Sequence, residues 1–174
     1  MLDTISRYLA AVPDSQMRRF LQIIINALAD RYVSVSLATA GLVISATKTK
    51  VKTGSGVYYG LANGVPVTIA AATDMAALSG TVVNATFNVF VFYIDSASTV
   101  TSAMGTAGAT LAAVKFPNTP QGKAIVGFVI INPTGTGDFV GGTIDLDDGT
   151  KVPNAAYVSP VGAFDPSISL GVAS

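Results

Sequence analysis

The sequence contains no cysteine, no histidine, no tryptophan and no glutamate. Without cysteine, the chain has no disulfide framework and no thiolate that could act as a nucleophile or metal ligand. Without histidine, it lacks the commonest general base and the commonest zinc ligand. Hydrolysis by aspartates alone and a Ser/Lys mechanism stay open, but we identify no catalytic residue set. We therefore expect a protein that is not an enzyme and that carries no cofactor and no metal.

Charge is also scarce. Ten Lys and Arg balance ten acidic residues, and charged residues make up 11 % of the 174 residues, against about 25 % in a typical soluble domain. Half of the chain is hydrophobic, and the mean hydropathy is +0.55. Such a chain exposes apolar surface that either a membrane or subunit contacts must cover. No apolar run approaches the length of about 20 residues that a spanning helix needs. We therefore expect burial in an assembly and no membrane partner. A net charge of zero argues against a nucleic-acid partner.

The first 32 residues predict a helical N-terminal arm. A short helix ends near Ala11, and a second runs from Ser15 to about Arg31, after the break at Pro13. The second helix repeats apolar residues at helical spacing over a face wide enough to pack on symmetry mates or on its own domain. We expect these residues to be assembly contacts: Met17, Phe20, Leu21, Ile24 and Leu28. Arg18 and Arg19 fall mainly on the other side and are candidate polar anchors.

Residues 33–158 predict an antiparallel β domain, either a sandwich or a barrel-like fold, because Val, Thr and Gly dominate and turn signals recur at short intervals. Residues 87–95 and 124–132 are almost unbroken apolar runs, so both should be central strands that are buried on both faces. Residues 159–174 are extended and poor in charge, and we expect this C-terminal tail to pack on a neighbour.

The stretch VISATKTKVK, residues 43–52, alternates as a strand does. On such a strand Lys48, Lys50 and Lys52 share one face. They then form either a charged edge that prevents sheet aggregation or a further set of polar anchors for a protein partner.

Residues 130–150, IINPTGTGDFVGGTIDLDDGT, combine glycines with aspartates. A phosphate loop needs a strand-to-helix turn with a lysine aimed at the phosphates, but these glycines lead into another predicted strand and no lysine follows in the right place. Asp145, Asp147 and Asp148 only partly match a calcium loop, because two of them are adjacent and no glutamate follows. We interpret the aspartates as caps of a polar turn and the glycines, with Gly135 and Gly137, as the turn of a hairpin.

Two further groups are alternatives. Tyr58, Tyr59 and Phe139 lie beside glycine-rich turns and could form a flat platform for sugar rings, although packing within a hairpin is the stronger interpretation. Asp95 and Asp138 sit at predicted strand ends, but nothing in the sequence brings them together as the paired carboxylates of a glycosidase.

The C-terminal half, through FPNTPQGKAIVGFVIINPTGTGDFVGGTIDLDD and then VPNAAYVSPVGAFDPSI, resembles small structural proteins of tailed bacteriophage particles over roughly residues 80–168. The resemblance implies a virion component of the capsid decoration (cement) or head-fibre type. Its expected partners are further copies of itself, as a homotrimer, and the major capsid protein or another virion protein. It would be made in the host cytoplasm and end on the capsid surface. A tail, baseplate or neck position, or a glycan-binding role on the virion, are the alternatives.

Overall fold

The structure, a computed structural model, describes residues 15–164. These residues are mainly β, with one α-helix at their N-terminal end and antiparallel sheets in a sandwich-like arrangement. The helix, α1, spans Ser15–Val33. The strands, in chain order, are β1 (Val35–Ser36), β2 (Val43–Ile44), β3 (Val51–Lys52), β4 (Tyr58–Ala62), β5 (Val65–Ile69), β6 (Thr81–Val82), β7 (Asn88–Ile94), β8 (Val100–Met104), β9 (Ala124–Ile131), β10 (Phe139–Val140) and β11 (Ala156–Val158). A short 3-10 helix spans Leu111–Ala113.

The centre of the molecule is a four-stranded antiparallel sheet in the order β11-β9-β7-β8. Every residue of β7 is buried, and so is nearly every residue of β9. These are the two runs that the sequence predicts as central strands, and that prediction is confirmed. Both faces are apolar because each face has its own covering layer, which explains why the two strands lack the usual alternation of polar and apolar residues.

A bulge lets β9 serve both faces of this sheet. Phe92 lies opposite Gly127, but the next residue of β7, Tyr93, lies opposite Ile125, so Val126 is the extra residue. Before the bulge, Ala124 and Val126 point into the larger hydrophobic core, the one that contains Phe90 and Phe92. Beyond it Val129 and Ile131 do so, because the extra residue reverses which residues point inward.

A three-stranded antiparallel sheet, in the order β1-β4-β5, packs on one face of the central sheet. Along β4 the residues alternate, so that Tyr58, Gly60 and Ala62 are buried while Tyr59 is exposed. Buried side chains from the two sheets join one core that includes Tyr58, Phe90 and Phe92. This is the sandwich, and it has the stacked form that antiparallel strands with one apolar face adopt.

The opposite face of the central sheet is covered from within the chain. Its buried residues include Val91 and Phe128, and Phe116 packs against them. The Phe116 ring meets Phe128 edge-on with centroids 5.0 Å apart, and the Phe164 ring stacks on Phe128 at 5.8 Å. Because Phe164 belongs to the predicted C-terminal tail, the start of that tail packs on its own domain. Packing of residues 165–174 on a neighbour stays a prediction, since they lie outside the described residues.

Helix α1 confirms the predicted second helix and ends at Val33, two residues beyond the expected end. The predicted helix before Ala11 lies outside the described residues.

The junction between α1 and the β domain is short and is held by hydrogen bonds. The backbone amide of Gly64 donates a hydrogen bond to the Val33 carbonyl, and the backbone amide of Asn63 donates one to the Ser34 hydroxyl. The turn between β4 and β5 therefore fixes the point where the helix leaves the domain.

Two local predictions are wrong. Residues 43–52 do not form one strand, because β2 and β3 pair with each other and residues 45–50 turn between them. Residues 130–150 do not form a hairpin. Strand β10 pairs with β6, whereas β9 belongs to the central sheet, so the glycine turn joins strands of two different sheets.

Candidate assembly surface

Helix α1 carries an apolar stripe that its own β domain does not cover. The exposed fractions are 59 % for Phe20, 59 % for Ile23 and 38 % for Ile24. Met17 is also exposed and Leu21 is half-buried. The predicted contact residues Met17 to Ile24 therefore lie together on one helix at a surface, and packing of this stripe on the same chain's β core is not what the structure has. The side chain of Leu28 lies outside the described residues.

The predicted polar anchors separate into two groups. Arg18 and Arg19 are exposed on α1. The lysines lie elsewhere, and their expected common face on a strand is a wrong prediction, because Lys48 and Lys50 sit in the turn between β2 and β3. Only Lys52 lies on a strand, half-buried at the end of β3.

Two of the lysines form ion pairs within the chain. The Lys48 ammonium lies 2.8 Å from the Asp147 carboxylate. Hydrogen bonding and attraction to Asp147 raise the pKa of Lys48 above its ordinary value. Lys50 lies 3.9 Å from Asp74, whose other oxygen accepts a hydrogen bond from Ser45. These exposed pairs hold the turn at 45–50 on the domain, and each adds little stability by itself.

The glycine-aspartate stretch has a structural explanation. A Cβ atom added to Gly135 would lie 1.3 Å from the Thr150 carbonyl oxygen, and the Thr136 amide donates to that same oxygen. The glycine is therefore the residue that lets the two turns of this stretch pack backbone against backbone. Nothing in this contact selects a phosphate.

Of the three aspartates, Asp148 acts as the predicted turn cap, whereas the Asp147 carboxylate pairs with Lys48. The Asp148 carboxylate accepts hydrogen bonds from the Thr150 hydroxyl and the Thr150 amide, and a third from the Lys151 amide. The Thr150 hydroxyl bond is the largest cause that lowers the pKa of Asp148. An open hollow of about 380 Å³ lies beside Asp145, Asp147 and Asp148. Among residues 15–164, however, no group of three or more acidic side chains is arranged to hold a metal ion.

The alternative prediction, a sugar-binding platform formed by Tyr58, Tyr59 and Phe139, is wrong. Tyr58 and Phe139 are fully buried in the core, and only Tyr59 of the three exposes its ring. Asp95 caps its own turn through the Ala97 and Thr99 amides. The Asp138 carboxylate instead accepts a hydrogen bond from the backbone amide of Asn84, in another loop. These aspartates are structural caps in the described part of the chain.

A second apolar surface, which the sequence reasoning missed, lies on the outward side of the three-stranded sheet. We call it the outer face. It consists of the residues of β1, β4 and β5 that point away from the core, together with Leu37, which follows β1. These residues are Val35, Leu37, Tyr59, Leu61, Pro66 and Thr68. Leu37 is 56 % exposed and Tyr59 52 %. The alternation in YYGLA could have shown it, because both outward residues of that strand are apolar.

Comparison of the chain with protein-family models, with curated proteins and with solved structures finds no match. The resemblance of residues 80–168 to phage structural proteins therefore stays a prediction. Within residues 15–164, no helix combines the length and the hydropathy that a membrane-spanning segment requires.

Proposed function

We propose that this protein is a non-enzymatic structural component of a tailed-bacteriophage particle, a capsid decoration (cement) protein that binds the outer shell as a symmetric homo-oligomer, with three copies as the expected number. The observation that carries the proposal is the apolar stripe of α1, exposed on a helix that its own sandwich leaves uncovered. An apolar stripe of this kind is costly for a lone subunit and is covered when copies assemble.

The rest of the described chain suits such a role. The aspartates and lysines that would be candidates for chemistry cap turns or form exposed ion pairs. The two central strands of the four-stranded sheet, β7 and β9, are buried along nearly their whole length, which favours a rigid scaffold over a site that opens. The resemblance in residues 80–168 supplies the phage setting.

The experiment for the position on the particle is a copy-number measurement. Particles of the phage that encodes the chain are purified, and quantitative mass spectrometry gives the ratio of this protein to the major shell protein. A ratio of the same order as the shell protein is expected for decoration. A few copies per particle would instead place it in the tail, baseplate or neck. Complete absence from the particles would refute the virion role.

A further inference from the structure

We propose that the apolar stripe of α1, carried by Phe20, Ile23 and Ile24, packs on the outer face of the three-stranded sheet in a second copy of this chain. The inference rests on the self-assembly part of the proposed function and adds the receptor surface for the helix. It makes the assembly an exchange of arms, in which each copy gives a helix and receives one.

The outer face suits an apolar helix because it is uncharged. None of its six residues carries a charge, and Leu37 and Tyr59, both more than half exposed, lie side by side. The Leu37 amide donates to the Tyr59 carbonyl, which fixes the two residues as cross-strand neighbours. An aromatic ring and a leucine that stand together on a sheet form a surface on which helix side chains pack.

The short junction after α1 works against packing of the helix on the outer face of its own sheet. A single residue, Ser34, separates the end of α1 at Val33 from the start of β1 at Val35. The bonds from Gly64 to Val33 and from Asn63 to Ser34 hold that junction on the turn between β4 and β5. To lie back across its own sheet, the helix would have to reverse its direction within that single residue while the junction stays bonded to the turn. A neighbouring copy meets no such constraint.

The two surfaces also match in size. A 19-residue helix is about 28 Å long at 1.5 Å per residue. Three strands at about 4.8 Å spacing make a face roughly 10 Å wide, close to the width of one helix.

The exposed apolar area of the stripe and the outer face is a large part of the area that a specific interface buries. Phe20, Ile23 and Ile24 on the helix, with Leu37 and Tyr59 on the sheet, are each between 38 % and 59 % exposed. At roughly 100 Å² for each such side chain, one copy offers on the order of 500 Å² from these five residues alone. A standard interface buries about 800 Å² per partner, so these five residues offer more than half of that area, and Pro66 and Thr68 are also exposed on the outer face.

The absence of cysteine makes a direct test possible. Two differently tagged chains, one with Ile24→Cys and one with Tyr59→Cys, are co-expressed, purified as mixed assemblies and treated with a short bis-maleimide. We expect cross-linked pairs that contain one chain of each tag. The matched control replaces Tyr59→Cys by Leu111→Cys, because Leu111 is equally exposed at 52 % but lies outside the three-stranded sheet. The Tyr59 pair should exceed the Leu111 pair roughly tenfold, since an assembled contact holds the thiols at millimolar effective concentration.

The outcomes separate this inference from the proposed function. If the assembly forms but Ile24→Cys chains cross-link only to each other, the helices form a bundle, and the exchange is overturned while self-assembly stands. Equal yields for the Tyr59 and Leu111 pairs overturn the exchange in the same way. If the wild-type chain is a monomer at every concentration, self-assembly itself fails. As a second readout, Leu37→Lys should release monomers and Leu111→Lys should not.

Discussion

The hydroxyl of Tyr58 lies 2.9 Å from the hydroxyl of Ser36 inside the sandwich. Ser36 donates its one hydroxyl hydrogen to the Ile125 carbonyl, so Tyr58 must donate to Ser36. These two hydrogen bonds link β4 and β1 of the three-stranded sheet to β9 of the central sheet. It is a polar connection between layers that otherwise meet through apolar side chains.

Removal of this connection should destabilise the fold in a graded way. Tyr58→Phe deletes one hydrogen bond and should lower the free energy of unfolding by about 1 kcal/mol. Ser36→Ala deletes both bonds and leaves the Tyr58 hydroxyl without its partner in the core, which should cost roughly 2–3 kcal/mol. Urea unfolding of the two variants measures this order. An equal or smaller effect of Ser36→Ala would show that the Ser36 bond to Ile125 adds nothing to the bond between Tyr58 and Ser36.

The glycine-aspartate stretch predicts a sharp difference between two glycines. Gly135→Ala drives a methyl group into the Thr150 carbonyl and should destabilise the protein by about 1–3 kcal/mol, as overpacking does. Gly149 is the control, because its added Cβ would meet nothing within 4 Å and its backbone is not in the left-handed region. Thermal unfolding of both variants tests the contact. Similar melting temperatures for the two would contradict it.

The Asp148 cap predicts a dependence on pH. Its hydrogen bonds to Thr150 and Lys151 hold the folded pKa below the ordinary value of 3.8. A carboxyl with a depressed folded pKa contributes stability above its unfolded pKa, and that contribution is lost as the pH falls through the folded pKa. The melting temperature of the wild type should therefore exceed that of Asp148→Ala at neutral pH, and the difference should shrink as the pH falls below 3.8 and through the folded pKa.

Asp145→Ala is the matched control for this prediction, because it removes the same charge from the same turn without removing those three bonds. If the gap between wild type and Asp148→Ala stays constant in acid, or if Asp145→Ala gives the same profile, the cap does not act through the ionised carboxylate.

The sequence predicted the parts of the fold that local pattern determines. Strands β7 and β9 fall within a residue of the predicted runs, because two covered faces require apolar residues at every position. Helix α1 and its apolar stripe follow from helical spacing and from the break at Pro13. Asp148 was recognised as a cap because aspartates beside glycine favour turns.

The errors arise where distant residues decide the local structure. The alternation of Lys48, Lys50 and Lys52 is typical of a strand, but Ser45 bonds to Asp74 and Lys48 pairs with Asp147. Those contacts bend the segment into a turn, and no local window contains them. Likewise β10 pairs with β6, a choice that the apparent hairpin of residues 130–150 does not reveal.

The outer face was missed for a different reason. Tyr58 and Tyr59 are adjacent and equally aromatic, yet one is buried and the other is about half exposed. Alternation in β4 separates them only after the strand has been identified and its inward side is known. Gly60 contributes to this arrangement, because a Cβ at that position would lie 2.6 Å from the Tyr58 hydroxyl oxygen.

The most direct test of helix-mediated self-assembly is the mass of the protein in solution, measured by light scattering during size-exclusion chromatography. The wild-type chain should elute at a multiple of its 17.7 kDa subunit mass. Ile24→Asp, which places a charge in the apolar stripe, should elute as a folded monomer. Val83→Asp, at a loop residue that is 55 % exposed, should keep the wild-type mass. A monomeric wild type, or an unchanged mass for Ile24→Asp, would contradict the account.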